Sequence, residues 1–182
     1  MEPEPPPPAP RRTNLVLVGF MGCGKSSVGR LAAGMLGYDF VDTDQLVVER
    51  AGLAIPDIFK FQGETAFRQL ESEALASLRG RDGLVVATGG GIVTRPENVP
   101  LLQELGVVVW IDANEEALFE RVSRNNARPL LQTENPRATL RALLEARRPL
   151  YAAVAQGTID NSGLRRPEAA HRAAAFVRAA AP

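Results

Sequence analysis

The segment GFMGCGKSS, residues 19–27, stands directly behind the apolar run 15–18 and constrains the chain more than any other feature. Residues 19–26 fit the pattern G-x-x-x-x-G-K-[ST] in full. Glycines at these places let the backbone fold around a phosphate with its N–H groups pointing inward, and a helix that starts at the lysine adds the positive end of its dipole. That requires a strand before the loop and a helix after it. The lysine is informative in itself, because Lys25 is one of two lysines in a chain with nineteen arginines. A compact ammonium on a flexible stem can lie along such a loop and reach β- and γ-phosphate oxygens, a slot the broad guanidinium of arginine does not fit. Ser26 follows in the place of a Mg2+-ligating hydroxyl. A chance glycine-rich turn is the plain alternative, and the correct strand-loop-helix setting disfavours it.

The rest of the chain repeats that setting. Apolar residues Val28, Leu31, Ala32, Met35 and Leu36 recur at helical spacing over residues 25–36, and Gly37 supplies a stop. Short apolar runs at 40–41, 84–87, 107–111 and 158–160 read as further strands. Helices are predicted from 44, over 64–78 after a turn around Pro56, over 96–105, 114–124, 136–152 and 166–180. Five strands alternating with helices predict an α/β fold, a three-layer sandwich around a five-stranded parallel sheet, because parallel neighbours need crossover connections that place helices on both faces. Ligands of such sheets bind at the carboxyl ends of the strands. The residues that are unusual here gather at those ends: the loop 19–26, Asp42 and Asp44, and Gly89, Gly90 and Gly91.

Size and charge limit the alternatives. A chain of 182 residues builds one domain with a substantial core, here 13–182, and not two ordinary ones. The balance of 21 basic and 21 acidic residues gives no general attraction to nucleic acid or to an anionic membrane, so an anion site must be local. A single cysteine leaves no internal disulfide, and a single histidine disfavours a zinc site, as expected of a soluble cytoplasmic protein. No apolar stretch approaches the roughly 20 residues that cross a bilayer. Residues 1–12, rich in proline, are expected to form a disordered, partly polyproline II tail. Few aromatics and no evident apolar stripe favour a monomer. A guanine-reading Asn-Lys-x-Asp segment is absent, which argues against a GTPase.

Taken in order, GFMGCGKSSVGR, FVDTD, FRQLESEAL, GGG, RPLL and RRPLY resemble the shikimate kinase family, over residues 14–177. The phosphate-loop motif is shared by many families, whereas the combination is specific. The resemblance implies a phosphate-loop fold of the nucleoside-monophosphate-kinase type. It also implies transfer of the γ-phosphoryl group of ATP, with Mg2+, to the 3-hydroxyl of shikimate, a step of aromatic amino acid biosynthesis. By the same resemblance Asp44 receives the attacking hydroxyl and its proton, and Asp42 stands by the metal with Ser26. Arg68 and Arg147 hold the substrate carboxylate, and Gly89, Gly90 and Gly91 admit the substrate and the γ-phosphate. Arg128, within a mobile lid at about 125–135, closes on the transferring group with Lys25. Gly22, Cys23, Gly24, Lys25, Ser26 and Ser27 cradle the nucleotide phosphates, while Arg121 and Arg166, the latter preferred to Arg165, lie on the adenine side.

Read as bare residues, several of these have duller roles: Asp44 as a helix cap, Arg68 and Glu71 as a surface ion pair, the triple glycine as a turn. Glu71, three residues beyond Arg68 on one helical face, is expected to orient it. Cys23 stands where the family carries Ser or Ala. It is expected either to be an inert filler or, beside Lys25 and a helix N-terminus, an acidified thiol whose alkylation blocks ATP. Phe59 and Phe67 are expected at the border of the substrate site and His171 on the surface. The alternatives are a gluconate-kinase-like enzyme, or a non-catalytic nucleotide-binding regulator that should have lost Lys25, Asp44 or Arg128.

Overall fold

The computed structural model describes residues 13–124 and 129–180. Strand β1 (Asn14–Val18) is buried along its whole length, which is what a continuous run of β-branched and leucine side chains achieves when helices cover both faces of a sheet. It leads through the glycine loop into helix α1 (Lys25–Leu36), which Gly37 closes with a left-handed φ of 65°. Strand β2 (Asp39–Asp42) passes without a loop into α2 (Thr43–Ala51). Then follow α3 (Ile55–Ala76), β3 (Leu84–Ala87), α4 (Asn98–Leu105), β4 (Gly106–Asp112) and α5 (Glu115–Ser123). Helix α6 (Pro136–Val154), β5 (Gly157–Asp160) and α7 (Arg166–Ala180) complete the chain.

All four strand pairings are parallel, in the order β2-β3-β1-β4-β5. The predicted three-layer α/β sandwich is therefore the observed fold. Helices α1 and α7 form one outer layer, α3 to α6 the other. Alanines set the closeness of the first: Ala169, Ala170, Ala173 and Ala174 of α7 are fully buried and leave room for α1. Strand β1 lies between β3 and β4, so the chain leaves its carboxyl end where the order of connections reverses, and a crevice opens there.

Two helix boundaries differ from the expected ones for physical reasons. Pro56 does not make a turn: it sits in the first turn of α3, where a missing N–H costs nothing, so the helix begins nine residues before Glu64. Gly63 then breaks α3 with φ 85° and ψ 171°. Helix α4 starts at Asn98 because a short 3-10 turn, Ile92–Thr94, intervenes after the triple glycine. A small second core forms where α2 packs on α3, from Val47, Ile58, Phe67 and Ala74. It holds these two helices beside the sheet as one wall of the crevice.

Candidate active site

Gly24 takes φ 101°, a conformation open to glycine, and no side chain caps the helix it begins, so the first amides of α1 remain available to a ligand. The Lys25 ammonium, 8% exposed, lies along the loop as expected and donates to the carbonyls of Gly19 at 2.7 Å and Phe20 at 2.9 Å. Cys23 Sγ is 3.6 Å from the same nitrogen and the residue is fully buried. That burial leaves no path for an alkylating reagent and favours the inert filler over the reactive thiol.

Ser26 and Asp42 meet at the head of this loop: Ser26 Oγ donates to Asp42 Oδ2 at 2.7 Å. The other oxygen of Asp42 accepts from the Asp44 amide at 3.0 Å, so Asp42 caps α2, and Asp44 belongs to its first turn instead of being the cap. A hydroxyl and a carboxylate beside a phosphate loop are hard oxygen donors of the kind Mg2+ takes in small number, completing its shell with water and phosphate. No cluster of three or more His, Cys, Asp or Glu capable of holding a metal occurs among the described residues.

Two clefts open at the carboxyl ends of the strands. The larger, with about 1210 Å3 of empty space, is lined by Gly22, Gly24, Lys25, Ser26, Ser27 and Asp42 at one end and by Arg121, Arg124, Leu164 and Arg166 at the other. Arg166, not its neighbour Arg165, is among the residues that line it. Arg121 is held in place by donating to the carbonyls of Asn161 and Ser162. The smaller cleft, with about 530 Å3, lies between the α2–α3 wall and α6 and is lined by Phe59, Phe67, Arg68, Glu71, Arg147 and Leu130 among others. Asp44 and Gly90 belong to both. The position of Arg128 lies outside the described residues, as do residues 1–12.

The small cleft carries a dense charge arrangement. Arg68 donates through Nη1 to Glu71 at 2.5 Å, and through Nη2 and Nε to Glu64 at 3.0 and 3.3 Å. It is thus a buried, doubly held cation and not a surface pair. Arg147 approaches the Gly90 carbonyl at 3.4 Å and lies over the Phe20 ring, whereas Arg148 turns away to Asp112 and Ala113. Tyr151, one turn beyond Arg147, donates to the same Gly90 carbonyl at 2.5 Å.

Glu71 is 1% exposed, and burial, the largest influence, pushes its carboxyl up to about 7; Arg68 and Arg147 pull it down and Asp44 adds to the rise. Burial alone would lower Arg68, yet Glu71 and Glu64 outweigh it and hold the guanidinium above its usual range. Burial of the Glu71 carboxyl is the deciding influence in this pair, since a guanidinium does not lose its proton in this environment.

The triple glycine is a matter of close approach. A Cβ on Gly89 would lie 2.1 Å from Glu71 Oε1, and one on Gly91 would lie 2.1 Å from Arg68 Nη1. The space a side chain would fill is taken by the charged groups themselves. The Gly89 N–H is spent within the protein, donating to Thr43 Oγ1 at 3.0 Å.

Every described residue of the expected set lies on one of the two clefts or in the loop between them, apart from Gly89, which stands behind Glu71 and Asp44. Asn161, Arg124 and Tyr151 were not foreseen. Asn161 donates to the Cys23 carbonyl at 2.8 Å and braces the phosphate loop; its place just past the end of β5 was the available signal. Tyr151 could have been found from its i,i+4 relation to Arg147. His171 is exposed, as expected.

The family model described as shikimate kinase matches residues 21–178. The chain is 48% identical over 165 residues to a shikimate kinase of Geobacter sulfurreducens, covering 91% of each chain. It is 54% identical over 140 residues to that of Parasynechococcus marenigrum, covering 76% of this chain and 73% of the relative. Its fold matches that of the shikimate kinase from Acinetobacter baumannii in complex with shikimate with a TM-score of 0.89 and 40% identity, covering 93% and 94% of the two chains.

Proposed function

The chain belongs to the shikimate kinase family, and from that premise we propose that it transfers the γ-phosphoryl group of ATP to the 3-hydroxyl of shikimate, giving shikimate 3-phosphate and ADP. The observation that carries this reading is the junction of the two clefts at Asp44 and Gly90: a long one ending on a phosphate loop, and a short one walled by two arginines and two phenylalanines. A triphosphate in the first and a small cyclic acid in the second would meet at one carboxylate.

In this reading the forked guanidiniums of Arg68 and Arg147 take the substrate carboxylate, and Phe59 and Phe67, with ring centroids 4.7 Å apart, face the carbon ring. Asp44 orients the 3-hydroxyl and accepts its proton as the oxygen attacks phosphorus. The loop amides from Gly22 to Ser27, Cys23 included, cradle the phosphates, and Lys25 supplies the charge on the β- and γ-oxygens. Ser26 and Asp42 would hold Mg2+, which when bound neutralises the phosphate oxygens. Arg121 and Arg166 face the base. Arg128 is assigned to a lid over 125–135 that excludes water on closing, a span that includes the 3-10 turn Pro129–Leu131. We further place the protein in the cytoplasm as a monomer, since no described helix is long and apolar enough to cross a membrane and large exposed apolar side chains are few.

The test is ADP release from Mg-ATP with and without shikimate, run beside gluconate and nucleoside monophosphates. Shikimate-dependent release with none from the others is expected. Release driven by gluconate and not by shikimate would replace the assignment.

A further inference from the structure

The small cleft contains one polar atom that none of the proposed steps uses. Glu71 Oε2 is bound to Arg68, while Oε1, on a side chain 1% exposed, has no hydrogen-bond partner among the described residues. Leaving a carboxylate oxygen dry and unpaired is costly, so this atom either carries a proton or waits for one.

Its neighbours favour the proton. A Cβ on Gly89 would lie 2.1 Å from Glu71 Oε1 and 2.7 Å from Asp44 Oδ1. The two carboxyl oxygens therefore stand within about 5 Å of each other, close enough for one negative charge to resist the other. The groups that act on Glu71 from the surrounding elements are Arg68, with Glu64 behind it, on α3, Asp44 on α2 and Arg147 on α6, while Tyr151 of α6 stands beside Arg147. Two fixed cations are thus opposed by up to three carboxylates. The guanidinium of Arg68 is held above its usual range by its two glutamates, and burial holds the Tyr151 hydroxyl above its own.

An anionic substrate lodged on Arg68 and Arg147 brings one more negative charge to the guanidinium that Glu71 already shares. The charge most easily given up is the one on the most deeply buried carboxyl. We propose that Glu71 is a positioning residue that takes a proton from solvent onto Oε1 when the anionic substrate enters, so that substrate binding and proton uptake are one linked event. The inference rests on the shikimate reading of the cleft and extends it. The step is a simple protonation: a solvent proton bonds to Oε1, no bond of the substrate changes, and Arg68 is released from Glu71 toward the incoming carboxylate. Near neutrality the buried carboxyl is poised for it, since burial sets Glu71 at about 7.

The experiment is calorimetric titration of the wild-type chain with shikimate, without nucleotide, at pH 7.5 in two buffers of different ionisation heat. Uptake of between about a third and three quarters of a proton per shikimate is expected, and the dissociation constant should rise roughly three- to tenfold between pH 6.5 and 8.5. In Glu71→Gln, whose amide keeps the shape and presents a permanent donor toward Asp44, the uptake should vanish and affinity should become flat in pH. Wild-type binding with the same heat in both buffers overturns the inference and leaves the functional reading intact, whether or not the variant folds. Unchanged uptake in folded Glu71→Gln also overturns it, by locating the proton elsewhere. A wild-type chain that gives no binding heat with shikimate and releases no ADP in its presence removes the functional reading and this inference together.

Discussion

Ser26 Oγ donates to Asp42 Oδ2 across 2.7 Å and thereby ties the first turn of α1, the helix that follows β1, to the end of β2, a strand set apart from β1 by β3. The same carboxylate caps α2 through its second oxygen. Asp42→Asn keeps a capping acceptor, so stability should fall by less than about 1 kcal/mol. It removes the anionic oxygen a hard cation needs, so half-saturating Mg2+ should rise about tenfold at fixed ATP. ADP release against Mg2+ concentration reads the shift, and an unaltered Mg2+ curve would separate Asp42 from the metal.

Lys25 offers a sharper test of geometry against charge. Its ammonium fits between two loop carbonyls 2.7 and 2.9 Å away, on a side chain almost wholly enclosed. Lys25→Ala should reduce kcat by two or more orders of magnitude. Lys25→Arg, which preserves the charge, should recover little of that loss, because the planar fork cannot occupy the same slot. Near wild-type turnover in Lys25→Arg would show that charge alone suffices there.

Much of this site was legible in the sequence because its parts are local. The loop 19–26 is contiguous, and strand ends announce themselves by a change from apolar to glycine or aspartate. Arg147 could be told from Arg148 only by a family pattern, since α6 places them 100° apart and periodicity does not say which face meets the sheet. What stayed hidden depends on contacts across the chain. That Gly89 and Gly91 make room for Glu71 and Arg68 follows from the pairing of β2 with β3, which brings α2 and α3 against the glycines. The early start of α3 is not legible in the sequence because Pro56 suits a turn and a first helical turn equally well.

Gly91→Ala isolates that close approach. The added Cβ would fall 2.1 Å from Arg68 Nη1 and 2.4 Å from Cζ, so the guanidinium must move while the larger cleft is untouched. The KM for shikimate should rise at least tenfold with KM for ATP nearly unchanged, and stability should drop by about 1–3 kcal/mol. Equal changes in both KM values would mean that the strain spreads into the phosphate loop.

The two arginines of RRPLY should separate in the same assay. Arg147 lies buried in the small cleft; Arg148 is spent on Asp112 and Ala113 on another side of α6. Loss of a charge-assisted contact to a carboxylate is worth about 1.5–3 kcal/mol, so Arg147→Ala should raise KM for shikimate roughly 10- to 100-fold. Arg148→Ala should alter it less than about threefold. A larger effect at Arg148 would reverse the assignment.

Glu71 also leaves a mark on folding stability that no substrate is needed to see. Burial raises its carboxyl from 4.5 to about 7, so between those values the folded chain holds a proton that the unfolded chain has released. The native state then binds more protons than the unfolded one, and stability must fall as pH rises through that window and level off above it. The favourable share of Glu71 is complete below pH 4.5 and gone once pH passes about 7. Over the whole window the loss amounts to about 3 kcal/mol. Other groups titrate as well, so the measurement is a difference: denaturant unfolding of wild type and Glu71→Gln at pH 5 and pH 8. Wild type should lose more stability than the variant on going to pH 8, by about 2–3 kcal/mol. If the two chains fall in parallel, Glu71 is ionised throughout, and its 2.5 Å contact with Arg68 is a fixed ion pair instead of a reservoir for a proton.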